Sequence, residues 1–233
     1  GSYLAKTARV MELVRQIGGD EFAVRAAQLS KCDLTTELVK EFTELQGIVG
    51  GLYAKAQGLD PAIGDAIYDQ YKPESMEDAV PRTLEGAVLS MAEKADSIAG
   101  MFALGLIPSG SKDPFALRRQ ANGIVKIVAE HKLTVNLAQV MSDALHGYDG
   151  SQAAQKFTAT AEYGAAVASF LRERLEFYLR DVLGFAYDVI NAVLAAGADD
   201  VVDVVARAQA VAKVRPSEDF EAISAAFKRI KNI

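Results

Sequence analysis

Apolar residues recur every three or four positions through most of this chain, and that spacing limits the fold more than any other feature. The clearest case is the stretch 84–104, which ends before Gly105. Its apolar positions share one helical face: Leu84, Val88, Met91, Ala95, Ile98 and Phe102. Such spacing predicts amphipathic helices. We therefore predict an all-α fold.

A second run with helical spacing contains several glycines. The stretch 31–52 places these apolar residues at helical intervals: Leu34, Leu38, Phe42, Leu45, Val49 and Leu52. Gly47, Gly50 and Gly51 lower the helix propensity in the same stretch. We predict either a break in the helix or a close helix crossing there.

The segment 110–130 combines a helix start with positive charge. Asp113 is predicted to be the N-cap and Pro114 the first helical residue, with Phe115 directed toward the core. The basic residues of this segment are Lys112, Arg118, Arg119 and Lys126. An anion bound at the helix start explains them, and a solvated basic face is the simpler alternative. Arg118 and Arg119 point about 100° apart, so one could pair inward with a carboxylate.

Composition restricts the function classes. The 233 residues carry a net charge of −6, with a pI near 5.1, which argues against indiscriminate nucleic-acid binding. Any RNA contact must use local basic patches. Cys32 is the single cysteine, so no internal disulfide is possible, and a reducing cytoplasm is expected. No apolar run approaches the ~20 residues of a membrane helix.

Two halves are expected, joined by the glycine-containing stretch HGYDGS at 146–151. We predict a helical domain over 1–146, a linker over 147–151 and a second helical domain over 152–233. The end of the second half contributes another basic group: Lys228, Arg229 and Lys231. The sequence contains neither a P-loop nor a dinucleotide-binding glycine pattern, so no bound cofactor is expected.

Three stretches resemble one known family. They are KCDLTTELVKEFTELQGIVG at 31–50, GSKDPFALRR at 110–119 and AAFKRIKNI at 225–233. The chain resembles the beta subunit of the bacterial heterotetrameric glycyl-tRNA synthetases. The resemblance covers nearly all of the chain and implies a fragment that lacks the subunit's N-terminal portion and last helices.

This resemblance implies a fold and a function. The first half would be an HD-like helical domain, similar to metal-dependent phosphohydrolases. The second half would be the truncated start of a helical-bundle, anticodon-binding (DALR-type) domain, with matching stretches SFLRERLEFYL, DVINAVLAA and SAAFKRIKNI. The whole enzyme joins glycine to tRNA(Gly) with ATP and Mg. The chemistry would lie on the alpha subunit of an α2β2 assembly, and the basic residues named above become candidate tRNA contacts.

The metal site of HD hydrolases is degenerate in this sequence. Asp33 and Asp96 match the two aspartates of the pattern, but Cys32 replaces a histidine, and the stretch AKTARV at 5–10 supplies none. Without imidazole ligands we expect no metal, and Cys32 has no histidine partner that would make it a nucleophile. Two alternatives stay open: a metal-dependent phosphohydrolase, and a scaffold that contacts only the alpha subunit.

Overall fold

The computed structural model describes residues 2–157, 162–220, 222–223 and 226, and those residues form an all-helical fold. The all-α prediction is confirmed. The α-helices in the described ranges are α1 Tyr3–Gln16, α2 Glu21–Leu29, α3 Glu37–Glu41, α4 Ile48–Ala56, α5 Pro61–Asp69, α6 Leu84–Ala103, α7 Leu117–His131, α8 Leu137–His146, α9 Tyr163–Phe177, α10 Tyr187–Ala195 and α11 Val201–Val214. None of them is long and apolar enough to cross a membrane.

Helix α6 is the centre of the packing. It contacts α1, α2, α5, α7, α8 and α9, and most of its residues are buried. The predicted apolar face is confirmed from Val88 to Phe102, whereas Leu84 is exposed. A helix buried on nearly all sides is expected to be apolar throughout. Helix α6 departs from this rule at Glu93, Lys94 and Asp96, which are buried charged residues.

The glycine-containing run 31–52 is divided into short pieces. A 3-10 turn at Cys32–Thr35 precedes α3, and a second at Thr43–Leu45 precedes α4. Both predicted alternatives, a break in the helix and a close helix crossing, occur in this run. Gly47 adopts a φ of +78° at the start of α4. A β-carbon at Gly51 would lie 2.5 Å from the Gly64 carbonyl oxygen, so α4 and α5 pack with almost no separation.

The two predicted halves share one continuous core. The rings of Phe102 and Phe170 lie 4.9 Å apart between α6 and α9, and the Tyr163 hydroxyl donates to the Met141 carbonyl. The predicted linker contains Tyr148, which is buried and donates to the Asp96 carbonyl. Tyr148 therefore anchors the predicted linker to α6, and the domain boundaries proposed from the sequence stay a prediction.

Candidate functional site

The three residues of the degenerate metal pattern have separate structural roles. Cys32 is exposed. The Asp33 carboxylate accepts the backbone N–H groups of Gly47 at 2.6 Å and Gly50 at 3.3 Å, so it caps α4 from another part of the chain. Asp96 lies in an ion pair on α6. Among the described residues, no three His, Cys, Asp or Glu side chains are grouped so that they could hold a metal ion.

Asp96 is neutralised by two cations from α1. The Arg9 guanidinium donates to both carboxylate oxygens, at 2.6 and 3.1 Å, and the Lys6 ammonium lies 3.0 Å from Oδ2. Arg9 also stacks 3.9 Å from the centre of the Tyr148 ring. Burial opposes the charged form of Lys6, but Glu93 and Asp96 raise its pKa overall. Both cations are held in their charged forms by the carboxylates beside them.

Glu93 joins a third cation to this group. Its Oε1 lies 3.2 Å from both the Lys6 and the Lys31 ammonium groups, while its Oε2 is enclosed without a hydrogen-bond partner. Lys31 donates in addition to Gln70 and Tyr71. Burial lowers the pKa of Lys31 despite the attraction of Glu93. We call these five residues the internal ion network: Lys6, Arg9, Lys31, Glu93 and Asp96.

This network does not fit the metal ions that an HD hydrolase would require. Asp96 is engaged on both oxygens, and Glu93 is engaged on one, by side chains of the protein itself. A divalent ion would have to displace ammonium and guanidinium groups that are buried beside it. The missing histidines are visible in the sequence, but the cations beside Asp96 are not, because Lys6 and Arg9 lie about ninety residues from Asp96 in the chain.

Lys94 is a second buried cation on α6, and it is satisfied differently. Its ammonium donates to the carbonyls of Tyr71 and Lys72 at 3.1 Å and to the Ser90 hydroxyl at 2.7 Å. Burial is the largest influence and lowers the pKa of Lys94 to about 7. Its methylenes pack on Gly123 of α7. Lys94 therefore ties the loop after α5 to the α6–α7 contact.

The start of α7 differs from the sequence prediction. The N-cap position is Ala116 and not Asp113 as predicted, but the Asp113 carboxylate still caps the helix by accepting the N–H groups of Leu117 and Arg118 at 2.8 and 2.9 Å. The helix begins only at Leu117, however, so Pro114 is not its first residue. Phe115 is exposed and does not enter the core. Two N–H groups that were expected to attract a phosphate are thus already occupied by a carboxylate.

The basic residues of this region have different surroundings. Lys112 and Arg119 are exposed and Arg118 is half-buried, and none of them forms an ion pair within the described ranges. Among the residues that the structure describes, neither arginine therefore pairs inward with a carboxylate. We call Lys112, Arg118 and Arg119 the basic segment.

Lys126 lies apart from the basic segment. Its ammonium is buried and donates to the carbonyls of Met76 and Asp78 at 2.7 and 2.6 Å. The sequence could not distinguish this lysine from its neighbours, because its partners lie about fifty residues away. Lys228, Arg229 and Lys231 lie outside the described residues.

A polar cleft opens beside the basic segment and the internal ion network. It has a volume of about 290 Å³ and lies between α6, the loop after α5 and the start of α7. Its lining consists of Gln46, Tyr71, Pro73, Glu74, Glu93, Lys94, Ser97, Phe115, Ala116, Arg119 and Gln120. A second hollow of about 510 Å³ shares Ala116 and Arg119 with this cleft. No pattern in the sequence indicated either cavity.

Comparisons with known proteins all match this chain to one family of subunits. Residues 1–195 match the family model described as the glycyl-tRNA synthetase beta subunit. The glycine–tRNA ligase beta subunit of Acidobacterium capsulatum is 57% identical, with 100% of this chain and 33% of that protein aligned. The corresponding subunit of Halothermothrix orenii is 42% identical over 92% of this chain and 31% of its own length. The subunit of Pasteurella multocida is 40% identical over 100% of this chain and 34% of its own length.

The chain thus spans about a third of the length of the curated relatives that it matches. The matched family region begins at residue 1 and continues through α10. It includes the internal ion network, the basic segment and the polar cleft.

Proposed function

The chain belongs to the glycyl-tRNA synthetase beta subunit family, and from this premise we propose that it holds and orients tRNA(Gly) during glycine–tRNA ligation. Activation of glycine with ATP and Mg would take place on a separate alpha subunit, with which this subunit assembles. No residue of this chain is assigned to bond chemistry. Its contribution would be positioning, which lowers the entropic barrier to acyl transfer.

The basic segment is the observation that supports this proposal. The charges of the internal ion network are paired with each other, yet Lys112, Arg118 and Arg119 have no ion-pair partner in the described ranges. All three lie within the stretch 112–119 of a chain of net charge −6. An unpaired cationic group on an acidic protein is suited to a polyanion, because phosphate contacts release counterions from the RNA.

Phosphate contacts of this kind would give affinity and register without reading the base sequence. The exposed side chains of Lys112 and Arg119 can reach a backbone from the surface, whereas Arg118 is half-buried and restricted in direction. Lys126 is left out of the proposed surface because its ammonium is bound to two carbonyls. The second predicted basic group, Lys228, Arg229 and Lys231, is kept as part of the proposal on the sequence alone.

The test uses the complete beta subunit assembled with its alpha subunit. Lys112, Arg118 and Arg119 are changed singly to Ala, and tRNA(Gly) affinity is measured against salt concentration. Each lost phosphate contact should lower the slope of log affinity against log salt by about 0.7 to 0.9. Lys40→Ala is the matched control, since Lys40 is an exposed lysine that is paired with Glu37 on α3.

Two results would contradict the proposal. If all three variants keep the slope of the unmodified assembly while assembly with the alpha subunit is lost, the segment belongs to a scaffold. If the purified chain releases phosphate from nucleotides with added Mn²⁺ or Mg²⁺, and Asp96→Asn abolishes this activity without unfolding the chain, the phosphohydrolase alternative is correct.

A further inference from the structure

The polar cleft has the size of a small-ligand site. Its volume of about 290 Å³ lies at the lower end of the range for pockets that enclose small molecules. Helix α6 supplies Glu93, Lys94 and Ser97, and the opposite wall is the segment from Phe115 to Gln120. A double helix is far too wide for such a cavity, whereas a single flipped-out nucleotide is not.

Three side chains of the walls have an oxygen that can accept a hydrogen bond. The Gln120 side-chain amide donates to the Phe115 carbonyl, which leaves its own oxygen available to a donor. Glu74 adds a carboxylate, and Glu93 has an enclosed oxygen without a partner. Three acceptors in one cavity favour a ligand with N–H donors, such as the exocyclic amine of adenine, cytosine or guanine.

One end of the cleft is suited to the rest of a nucleotide. Phe115 is 41% exposed, so an aromatic face is available at the mouth. Arg119 lines this cleft and also the second hollow, which contains Arg118 and Asn122. The Asn122 side-chain oxygen is buried and lacks a partner. An RNA strand that passes across Arg119 would thus meet cations along its backbone and a polar cavity for a base.

We propose that the polar cleft takes one unpaired nucleotide of RNA. An amino-bearing base enters the cavity and stacks on Phe115, its N–H groups meet the acceptors of Gln120 and Glu74, and its phosphate lies on Arg119. Unpaired bases are the usual target of specific RNA recognition, through aromatic or guanidinium stacking and through contacts to the base edges. This inference rests on the proposed RNA-binding role and adds a base-reading site to it.

The experiment uses the complete beta subunit assembled with its alpha subunit, and fluorescently labelled RNA pentamers as probes. Pentamers of adenosine or cytidine should bind severalfold more tightly than pentamers of uridine, because uracil lacks an exocyclic amine. A blunt RNA duplex should compete poorly. Phe115→Leu should weaken adenosine-pentamer binding about fivefold or more through lost stacking, and Gln120→Leu should remove most of the preference over uridine.

A matched control is available in the same chain. Phe42 is 43% exposed and lies outside the cleft, so Phe42→Leu should leave pentamer binding unchanged. Equal affinity for all pentamers, with no effect of Phe115→Leu or Gln120→Leu, would overturn the cleft proposal. The RNA-positioning role would survive that outcome if Arg119→Ala still reduced tRNA(Gly) affinity and the salt slope. If Arg119→Ala also had no effect, both proposals would fall.

Discussion

The internal ion network and the basic segment contain similar residue types but use them in opposite ways. Around Asp96, each cation lies within about 3 Å of a carboxylate, and both carboxylates of the network are buried on α6. At the start of α7, Arg118 and Arg119 have no carboxylate partner in the described part of the chain, and the nearby Asp113 is committed to backbone N–H groups.

This difference shows how structural charge can be distinguished from charge that is available to a partner. A buried charge must be paired or fully hydrogen-bonded, since isolating it from water costs several kcal/mol. An exposed cation has no such requirement, so a group of unpaired cations indicates binding more than stability. If the comparison is correct, changes in the network should reduce stability, and changes in the basic segment should reduce RNA affinity alone.

The largest effect is expected for Asp96→Asn. The change leaves Arg9 without a counter-charge and Lys6 with Glu93 alone, beside a side chain that is 1% exposed. Removing one partner of a buried ion pair costs about 3–5 kcal/mol, so the free energy of unfolding in urea should fall by that amount. Asp188→Asn, which breaks the exposed pair with Arg215, should cost less than about 1 kcal/mol. Equal losses of unfolding free energy for the two variants would contradict the distinction between buried and exposed ion pairs.

A smaller and pH-dependent effect is expected for Asp69→Asn. Burial favours the neutral acid, but hydrogen bonds from Arg82 and Lys72 outweigh it and lower the pKa of Asp69 below its ordinary 3.8. The carboxylate therefore stabilises the fold above pH 3.8, and this contribution is lost as the pH falls through the folded-state pKa. Because Arg82 is half-exposed, we expect a loss of about 2 kcal/mol at pH 7.

The role of Asp69 is measured by urea unfolding of the unmodified protein and of the Asp69→Asn variant at several pH values. The difference between their free energies of unfolding should stay constant from pH 7 to about pH 5 and should become smaller below about pH 4. A difference that widens in acid would mean that the carboxylate is not the stabilising form.

Lys126→Met tests whether a basic residue next to the basic segment belongs to the fold. The change leaves the carbonyls of Met76 and Asp78 without their donor, which should cost about 1–3 kcal/mol of unfolding free energy. The salt slope of tRNA binding by the complete assembly should not change. A shallower salt slope in a stable variant would mean that Lys126 is part of the RNA-binding surface.

The smallest change in stability is expected within the basic segment itself. Lys112→Ala, Arg118→Ala and Arg119→Ala should each alter the free energy of unfolding by less than about 0.5 kcal/mol, because no ion pair is lost. Thermal unfolding measures this directly. A loss of more than 1 kcal/mol in all three variants would make the segment structural and would remove the contrast with the internal ion network.

Local sequence patterns correctly predicted the features that depend on residues close together in the chain. The spacing from Val88 to Phe102 predicted the buried face of α6, and Asp113 was recognised as a cap. The boundary of α7 was missed because Pro114 is a frequent first helical residue, yet here the chain turns through Ala116 in a left-handed conformation before the helix begins. Such a turn has no reliable signature when the residue is not glycine.

Local sequence patterns could not predict pairing between residues that are distant in the chain. Lys126 and Arg119 look equivalent as basic residues on one predicted helix, but one is buried against the loop after α5 and the other is exposed beside a cleft. The spacing of apolar residues, the missing histidines and the three family-like stretches were determined by the sequence alone. Which charges are paired and which remain available was decided by tertiary packing, because a charge is satisfied by groups that are close in space and distant along the chain.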